Sequence, residues 1–230
     1  MNKINVVFCG YRDWAICIFE DVKKHKNINV KNIIRSFQEY KEFEEHPQND
    51  IDLILFIGWS WIIPDYFIER YLCIGIHPSD LPQFRGGSPI QNQIINGITQ
   101  SKVSLITLSN KLDAGEIWIK EDLSLIGDSI DDIFDNISQS SILLLNKFFD
   151  DYPNLKPEIQ DVSKGSYFKR RKPEESKLNV DDFHKLTLQE LYNFIRSLTD
   201  PYPNAFIEDN DGNRLIFKNV RYIPSKDKRN

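Results

Sequence analysis

The chain has 230 residues, 40% of them hydrophobic and 27% charged, so it can bury one sizeable core and is not a disordered polypeptide. Its formal net charge of -5 argues against a general nucleic-acid binder, because phosphate neutralisation drives such binding. The three cysteines, Cys9, Cys17 and Cys73, lie in or beside apolar stretches without CxxC spacing, so no disulfide or metal site is expected and a reduced, cytoplasmic setting fits. The N-terminal apolar run is too short for a signal peptide, and no segment approaches a membrane span; no membrane partner is expected.

In chain order, Ile4 to Cys9 reads as a buried strand ended by Gly10, and Trp14 to Lys24 as a helix with apolar residues at helical spacing. The turn between them, Gly10-Tyr11-Arg12-Asp13, lacks the further glycines of a dinucleotide fingerprint. Val30 to Ile34 is a second strand and Phe37 to His46 a charged, exposed helix. Ile51 to Ile57 is a nearly continuous apolar run, as in a parallel sheet covered on both faces, and it ends at Gly58 before Trp59-Ser60-Trp61-Ile62-Ile63-Pro64. A short helix from Asp65 to Glu69 leads to the strand Leu72 to Ile74. Pro89 suits the first turn of a helix running to Gly97. Val103 to Leu108 and Glu116 to Ile119 read as two strands flanking the loop that carries Asp113.

The clearest helix follows. Ser129 and Asp132 form a capping pair, and an apolar stripe from Ile130 to Phe149 persists until Pro153. The chain then reads as a connection to about Lys164, followed by the basic run Lys169-Arg170-Arg171-Lys172. Thr187 with Glu190 caps a second amphipathic helix that stops before Pro201-Tyr202-Pro203. Phe206-Ile207 and Leu215-Ile216-Phe217, parted by the turn-forming 209–213, read as a closing hairpin.

Chemistry concentrates after Leu72-Cys73-Ile74. The run Gly75-Ile76-His77-Pro78-Ser79-Asp80-Leu81-Pro82-Gln83-Phe84-Arg85-Gly86-Gly87-Ser88-Pro89-Ile90-Gln91 sets one histidine, able to exchange a proton near neutrality, at the end of a buried strand before a Pro/Gly loop. This run resembles the signature loop of the folate-dependent formyltransferases, the superfamily of methionyl-tRNA, glycinamide ribonucleotide and sugar N-formyltransferases. Leu112-Asp113-Ala114-Gly115-Glu116-Ile117 and Asp200-Pro201-Tyr202-Pro203-Asn204-Ala205-Phe206 match in the same order. The resemblance implies an α/β fold with a Rossmann-like, mostly parallel sheet, helices on both faces, and a short C-terminal helix and β-hairpin appendage. Residues 1–160 would form the catalytic domain; 161–230 would form an extension of basic segment, helix and hairpin packed on it.

Formyl transfer to an amine passes through a tetrahedral intermediate, so a site must bind an oxyanion and remove one proton. By the resemblance, His77 is the catalytic histidine and Asp113 the catalytic aspartate, with Gly115 letting the backbone bend beside it. Where the family has an asparagine two residues before the histidine, this chain has Gly75. Either an amide of the next helix, Asn92 or Gln91 with Asn92 favoured, replaces that donor, or backbone donors and water suffice, or the chain binds without catalysing. Trp59, Ser60, Trp61 and Ile62, with Ser109, Asn110, Lys111 and Leu112, are expected to hold the donor N10-formyltetrahydrofolate. Tyr11, Arg12, Ser79, Arg85, Gly86, Gly87 and Ser88 are expected to contact the acceptor, and Lys169 and Arg170 its diphosphate. With only about two dozen residues after the Pro201-Tyr202-Pro203 turn, the chain resembles the small sugar N-formyltransferases, acting on a dTDP-linked 4-amino-4,6-dideoxyhexose, the gluco isomer favoured, for O-antigen or other surface polysaccharide. A homodimer and no nucleic-acid partner are implied. A methionyl-tRNA formyltransferase-like enzyme and a silent folate- or nucleotide-sugar-binding protein are the alternatives.

Overall fold

A computed structural model describes residues 3–46 and 48–225; the last five residues of the expected extension lie outside them. The first half alternates strands and helices: β1 (Ile4–Cys9), α1 (Asp13–Val22), β2 (Ile28–Ile34), α2 (Phe37–Glu45), β3 (Leu53–Phe56), α3 (Asp65–Arg70) and β4 (Cys73–His77). A two-residue strand β5 (Arg85–Gly86) precedes α4 (Pro89–Ile95), β6 (Gln100–Thr107), β7 (Ile117–Ser124) and the long α5 (Ile130–Asp151). The remainder holds β8 (Tyr167–Phe168), α6 (Asp182–Lys185), α7 (Leu188–Arg196) and the hairpin β9 (Ala205–Glu208) and β10 (Arg214–Phe217).

The central sheet has the order β2-β1-β3-β4-β6-β7. Its first four strands run parallel, each joined to the next by a helix, whereas β6 and β7 are antiparallel to their neighbours. Period-two alternation explains the layers. Val6, Phe8, Leu53 and Leu55 pack with α1, α4 and α5 on one face, and Val7, Cys9, Ile54 and Phe56 with α2 and α3 on the other. Each fully buried Phe, Leu or Ile side chain contributes about 1.5–3 kcal/mol. Both expected capping boxes are present: Ser129 Oγ accepts from Asp132 N–H, and Thr187 Oγ1 accepts from Glu190 N–H. A third, small core of Leu178, Leu191, Ile195, Leu198 and Ala205 holds α7 against the hairpin.

The structure corrects two boundaries. Strand β4 runs on through His77, and β7 continues to Ser124 through charged residues whose alternation places Leu123 inward. Just past the connection that ends at about Lys164, Tyr167 and Phe168 form β8, which pairs in parallel with β5 and places Arg85 opposite Tyr167 and Gly86 opposite Phe168.

Candidate active site

His77 lies at the end of β4, only 6% exposed, because its strand is flanked by β3 and β6. Its ring is held at both nitrogens. Nε2 lies 2.9 Å from the Phe84 carbonyl oxygen, which can only accept, so Nε2 carries hydrogen. Nδ1 faces Asp113 Oδ1 at 3.5 Å. The other oxygen of that carboxylate, Oδ2, accepts from Gly86 N–H at 2.9 Å. One short loop thus grips both members of the expected pair.

The pair opens onto a cleft of about 640 Å³. Its walls include Trp59, Ser60, Trp61 and Ile62 of one loop and Ser109, Asn110 and Leu112 of another, with Arg12, Gly75 and Gly86. The two expected folate loops therefore line one cavity beside His77 and Asp113. Lys111 points its carbonyl at Ser109 Oγ (3.0 Å) and is not on the wall. Another cleft, of about 660 Å³ between α5 and α7, is lined by Asp128, Asp132, Asp135 and Tyr192 and contains neither His77 nor Asp113.

Several expected contacts have other tasks. Tyr11 is not on the wall; its hydroxyl donates to Ser60 Oγ (2.8 Å) and its ring lies 4.7 Å from that of Trp61, so it braces the tryptophan loop. Ser79 is fully buried, donates to the Gln83 carbonyl (2.7 Å) and accepts at its own carbonyl from Ser104 Oγ (2.7 Å), which closes the loop instead of facing a substrate. Asn92 donates its amide to the Gly87 carbonyl at 3.0 Å and does not reach the cleft wall, so the oxyanion role expected for it does not fit this geometry. Gln91 is likewise buried and off that wall.

The Arg85-Gly86-Gly87-Ser88 run is shaped by the chain that crosses it. A Cβ on Gly86 would stand 2.2 Å from the Phe168 carbonyl oxygen, and one on Gly87 2.3 Å from the Arg170 Cα. Only glycine admits this approach. Ser88 Oγ accepts from Arg171 N–H at 3.1 Å, and Arg85 reaches back to the Val162 carbonyl at 3.4 Å. The basic run is thereby docked beside the pair, with Lys169 and Arg170 exposed. Arg171 is half-buried over Phe194, and burial pulls its guanidinium below its usual range.

Residues that pattern reasoning missed complete the site. Trp14 and Phe134, stacked at 5.8 Å, and Tyr202 of the proline turn join the wall; the first two carry the same spacing as scaffold residues. Gln160 donates to the carbonyls of Asp113 (3.1 Å) and Gly115 (2.5 Å), holding the aspartate loop. Phe84, Ser88 and Asp113 are the non-glycine residues with positive φ (56°, 52° and 50°) among those described, and all lie in these loops. Such a conformation costs an L-residue roughly 1–2 kcal/mol and persists only where its surroundings impose it.

A family model described as formyl transferase matches residues 20–141. The solved structure of a methionyl-tRNA formyltransferase from Clostridium thermocellum superposes with a TM-score of 0.81 at 31% identity, over 97% of this chain and 95% of that one. A 4-N formyltransferase from Francisella tularensis shares the fold, with a TM-score of 0.75 at 21% identity over 95% of this chain and 98% of that one. In sequence, methionyl-tRNA formyltransferase of Ehrlichia chaffeensis is 28% identical over 215 residues, 91% of this chain but 66% of its own length, so the chain spans just under two thirds of that relative. With its matched region covering β2 to β7 and the His77–Asp113 cleft at its centre, the chain belongs to the formyl transferase family.

Proposed function

We propose that this chain moves a formyl group from N10-formyltetrahydrofolate to the amino group of a nucleotide-linked amino sugar. The cleft suits the donor: Trp59 and Trp61, with ring centroids 4.7 Å apart, and Ile62 and Leu112 offer flat and apolar surface for a heterocycle beside the polar pair. When bound, the folate supplies the one-carbon acyl group. His77 receives the proton of the attacking amine at Nδ1, since Nε2 is committed to the Phe84 carbonyl. Asp113, 3.5 Å away, compensates the charge that the ring then carries, until the proton passes to the folate nitrogen as its bond to the formyl carbon breaks. At the oxyanion, Gly75 offers no side chain, and a Leu108 methyl lies 2.9 Å from where its Cβ would be. Asn110 lines the same cleft and is the candidate for the oxyanion donor.

The observation that carries the sugar reading is the docking of the basic run. Lys169 and Arg170 are exposed where the chain crosses Gly86 and Gly87, next to the pair, in a protein of net charge -5. A local cationic strip of this size matches a diphosphate better than an RNA surface. A dTDP-linked 4-amino-4,6-dideoxyglucose is the favoured acceptor, for a surface polysaccharide. Exposed Leu215 and Ile216 on the hairpin support a homodimer. Among the described residues no helix is long and apolar enough to cross a membrane.

The second reading, formyl transfer to methionyl-tRNA, is favoured by the names of the relatives at 28% and 31% identity. Incubating the protein with N10-formyltetrahydrofolate and either a panel of nucleotide-linked amino sugars or charged initiator tRNA, and following product mass, separates them. A formylated sugar that vanishes in His77→Asn and Asp113→Asn supports the proposal. Formylated tRNA alone refutes its acceptor, and binding of folate without any product refutes transfer.

A further inference from the structure

We propose that β8, and Ser166 just before it above all, positions the His77–Asp113 pair. The loop that grips the pair does so with backbone atoms, the Phe84 carbonyl on His77 and the Gly86 N–H on Asp113. Phe84 must hold φ at 56° to aim that carbonyl, a conformation its side chain disfavours. Something outside the loop imposes it.

The chain around β8 does so. Phe84 N–H donates to Ser166 Oγ at 2.8 Å, Arg85 N–H to the Ser166 carbonyl at 3.0 Å, and Gly87 N–H to the Phe168 carbonyl at 2.8 Å. Ser166 N–H returns a bond to the Pro82 carbonyl at 3.2 Å, and the Phe84 ring stacks on that of Phe168 at 5.2 Å with planes 6° apart. Ser166 therefore meets the loop at residues 82, 84 and 85, and its hydroxyl is the side-chain acceptor that Phe84 needs. Without it, Phe84 relaxes toward ordinary φ, its carbonyl leaves Nε2, and the His77 ring is free to exchange tautomers. The proton-accepting nitrogen then no longer faces Asp113 for all of the time.

This inference rests on His77 and Asp113 being the reacting pair, so the test reads His77 directly as well as turnover. The protein has four histidines, which makes nitrogen-15 imidazole spectra tractable, and His77→Asn assigns the His77 signals. In protein labelled at histidine, at a pH where the ring is neutral, the wild type is expected to show the Nε2–H tautomer alone. Ser166→Ala is expected to show both tautomers, with kcat reduced about tenfold and both KM values within about twofold, the scale of one lost hydrogen bond. Ser166→Thr, which keeps the hydroxyl, is expected to restore the single tautomer and kcat.

A Ser166→Ala protein with the wild-type tautomer and kcat overturns the proposal, as does one that loses kcat with its tautomer unchanged. If Ser166→Ala fails to fold, Phe168→Leu, which keeps apolar bulk but removes the stacked ring, is read by the same two measurements and the same criteria. The spectra need no turnover. A wild type that forms no product defeats the transfer reading, and an active His77→Asn defeats His77 as the reacting base, while the tautomer result judges β8 by itself.

Discussion

Gly115→Ala tests how closely the aspartate loop is fitted to the sheet. Gly115 is buried, and a Cβ built on it would lie 1.8 Å from the Thr107 carbonyl oxygen, where real contacts essentially never fall below 3.0 Å. The obstacle is backbone at the end of β6, so the loop or the strand must give way by more than 1 Å. Overpacking of this kind costs about 1–3 kcal/mol, and the upper end is expected because no side chain can rotate aside. Asp113 is two residues upstream, and Gln160 bonds the carbonyls of both Asp113 and Gly115. The carboxylate is therefore displaced too, and a misplacement of this size lowers kcat about a hundredfold. Urea unfolding followed by tryptophan fluorescence gives the stability, and product mass against time gives kcat. Gly97→Ala is the comparison: nothing lies within 4 Å of its Cβ, yet its φ is +76°, so it loses about 1 kcal/mol through the backbone alone and keeps its kcat. A Gly115→Ala protein with wild-type unfolding midpoint and turnover would refute the steric argument.

Three further outcomes are expected. Asp132 accepts from Ser129 Oγ–H and from the N–H groups of Ser129 and Asp128, which holds its carboxyl below the usual range. Its contribution is thus complete above about pH 4. Asp132→Asn lowers stability by about 1 kcal/mol at pH 7, and urea titrations should show the gap closing as pH falls through the depressed value. Burial pushes the Cys73 thiol up to about 12 and raises that of Cys9, whereas Cys17 is exposed. A colorimetric thiol reagent at pH 8 should accordingly label one thiol in the native protein and three in denaturant; three labelled natively would contradict the buried placement. In Gly75→Asn the obstacle is the tip of Leu108, which can turn away, so the fold is retained and the new amide raises kcat about tenfold or more. An unchanged kcat would mean that Asn110 or another wall group already supplies the oxyanion donor.

The parallel half of the fold was legible because its signals are local. Apolar runs marked β1 and β3, and the spacing of Ser129 to Asp132 and of Thr187 to Glu190 marked two helix starts. His77, Asp113, the tryptophan loop and the Ser109–Leu112 loop were found through motif order, and the structure brings all but Lys111 to one cleft. What escaped has no periodicity to reveal it. A two-residue strand such as β8 shows no alternation, and the bond from Phe84 to Ser166 joins residues 82 apart in sequence. Gly115 was read as a bend, but the bend belongs to Asp113 at φ 50°, and Gly115 is required by the nearness of Thr107. Ser79 in the loop and Asn92 on the following helix are polar residues whose partners turned out to be carbonyls of the loop itself.

These misses share a cause that bears on where the catalytic unit ends. The matched family region stops at residue 141, and the sequence division falls at 160, yet groups supporting the pair's loops come from residue 160 itself and from beyond it. Gln160 supports the Asp113 carbonyl, Ser166 bonds Phe84, and Tyr202 joins the wall beside Phe134, 6.2 Å between rings. Arg196 of α7, only 4% exposed, donates to the carbonyls of Leu125 and Gly127, which ties the extension to the segment before α5. A bond from Ile130 N–H to Thr199 Oγ1 at 3.0 Å adds to it. The C-terminal helix and hairpin appendage thus also contributes residues around the site. The parallel strands deliver His77, the β6–β7 loop delivers Asp113, and the returning chain sets their mutual geometry while carrying the cations proposed to receive the acceptor's diphosphate. On these proposals, orientation of the pair and capture of the acceptor fall on one continuous stretch, residues 160–171. An acceptor that orders Lys169 and Arg170 would by the same contacts steady Ser166, Phe84 and the His77 ring.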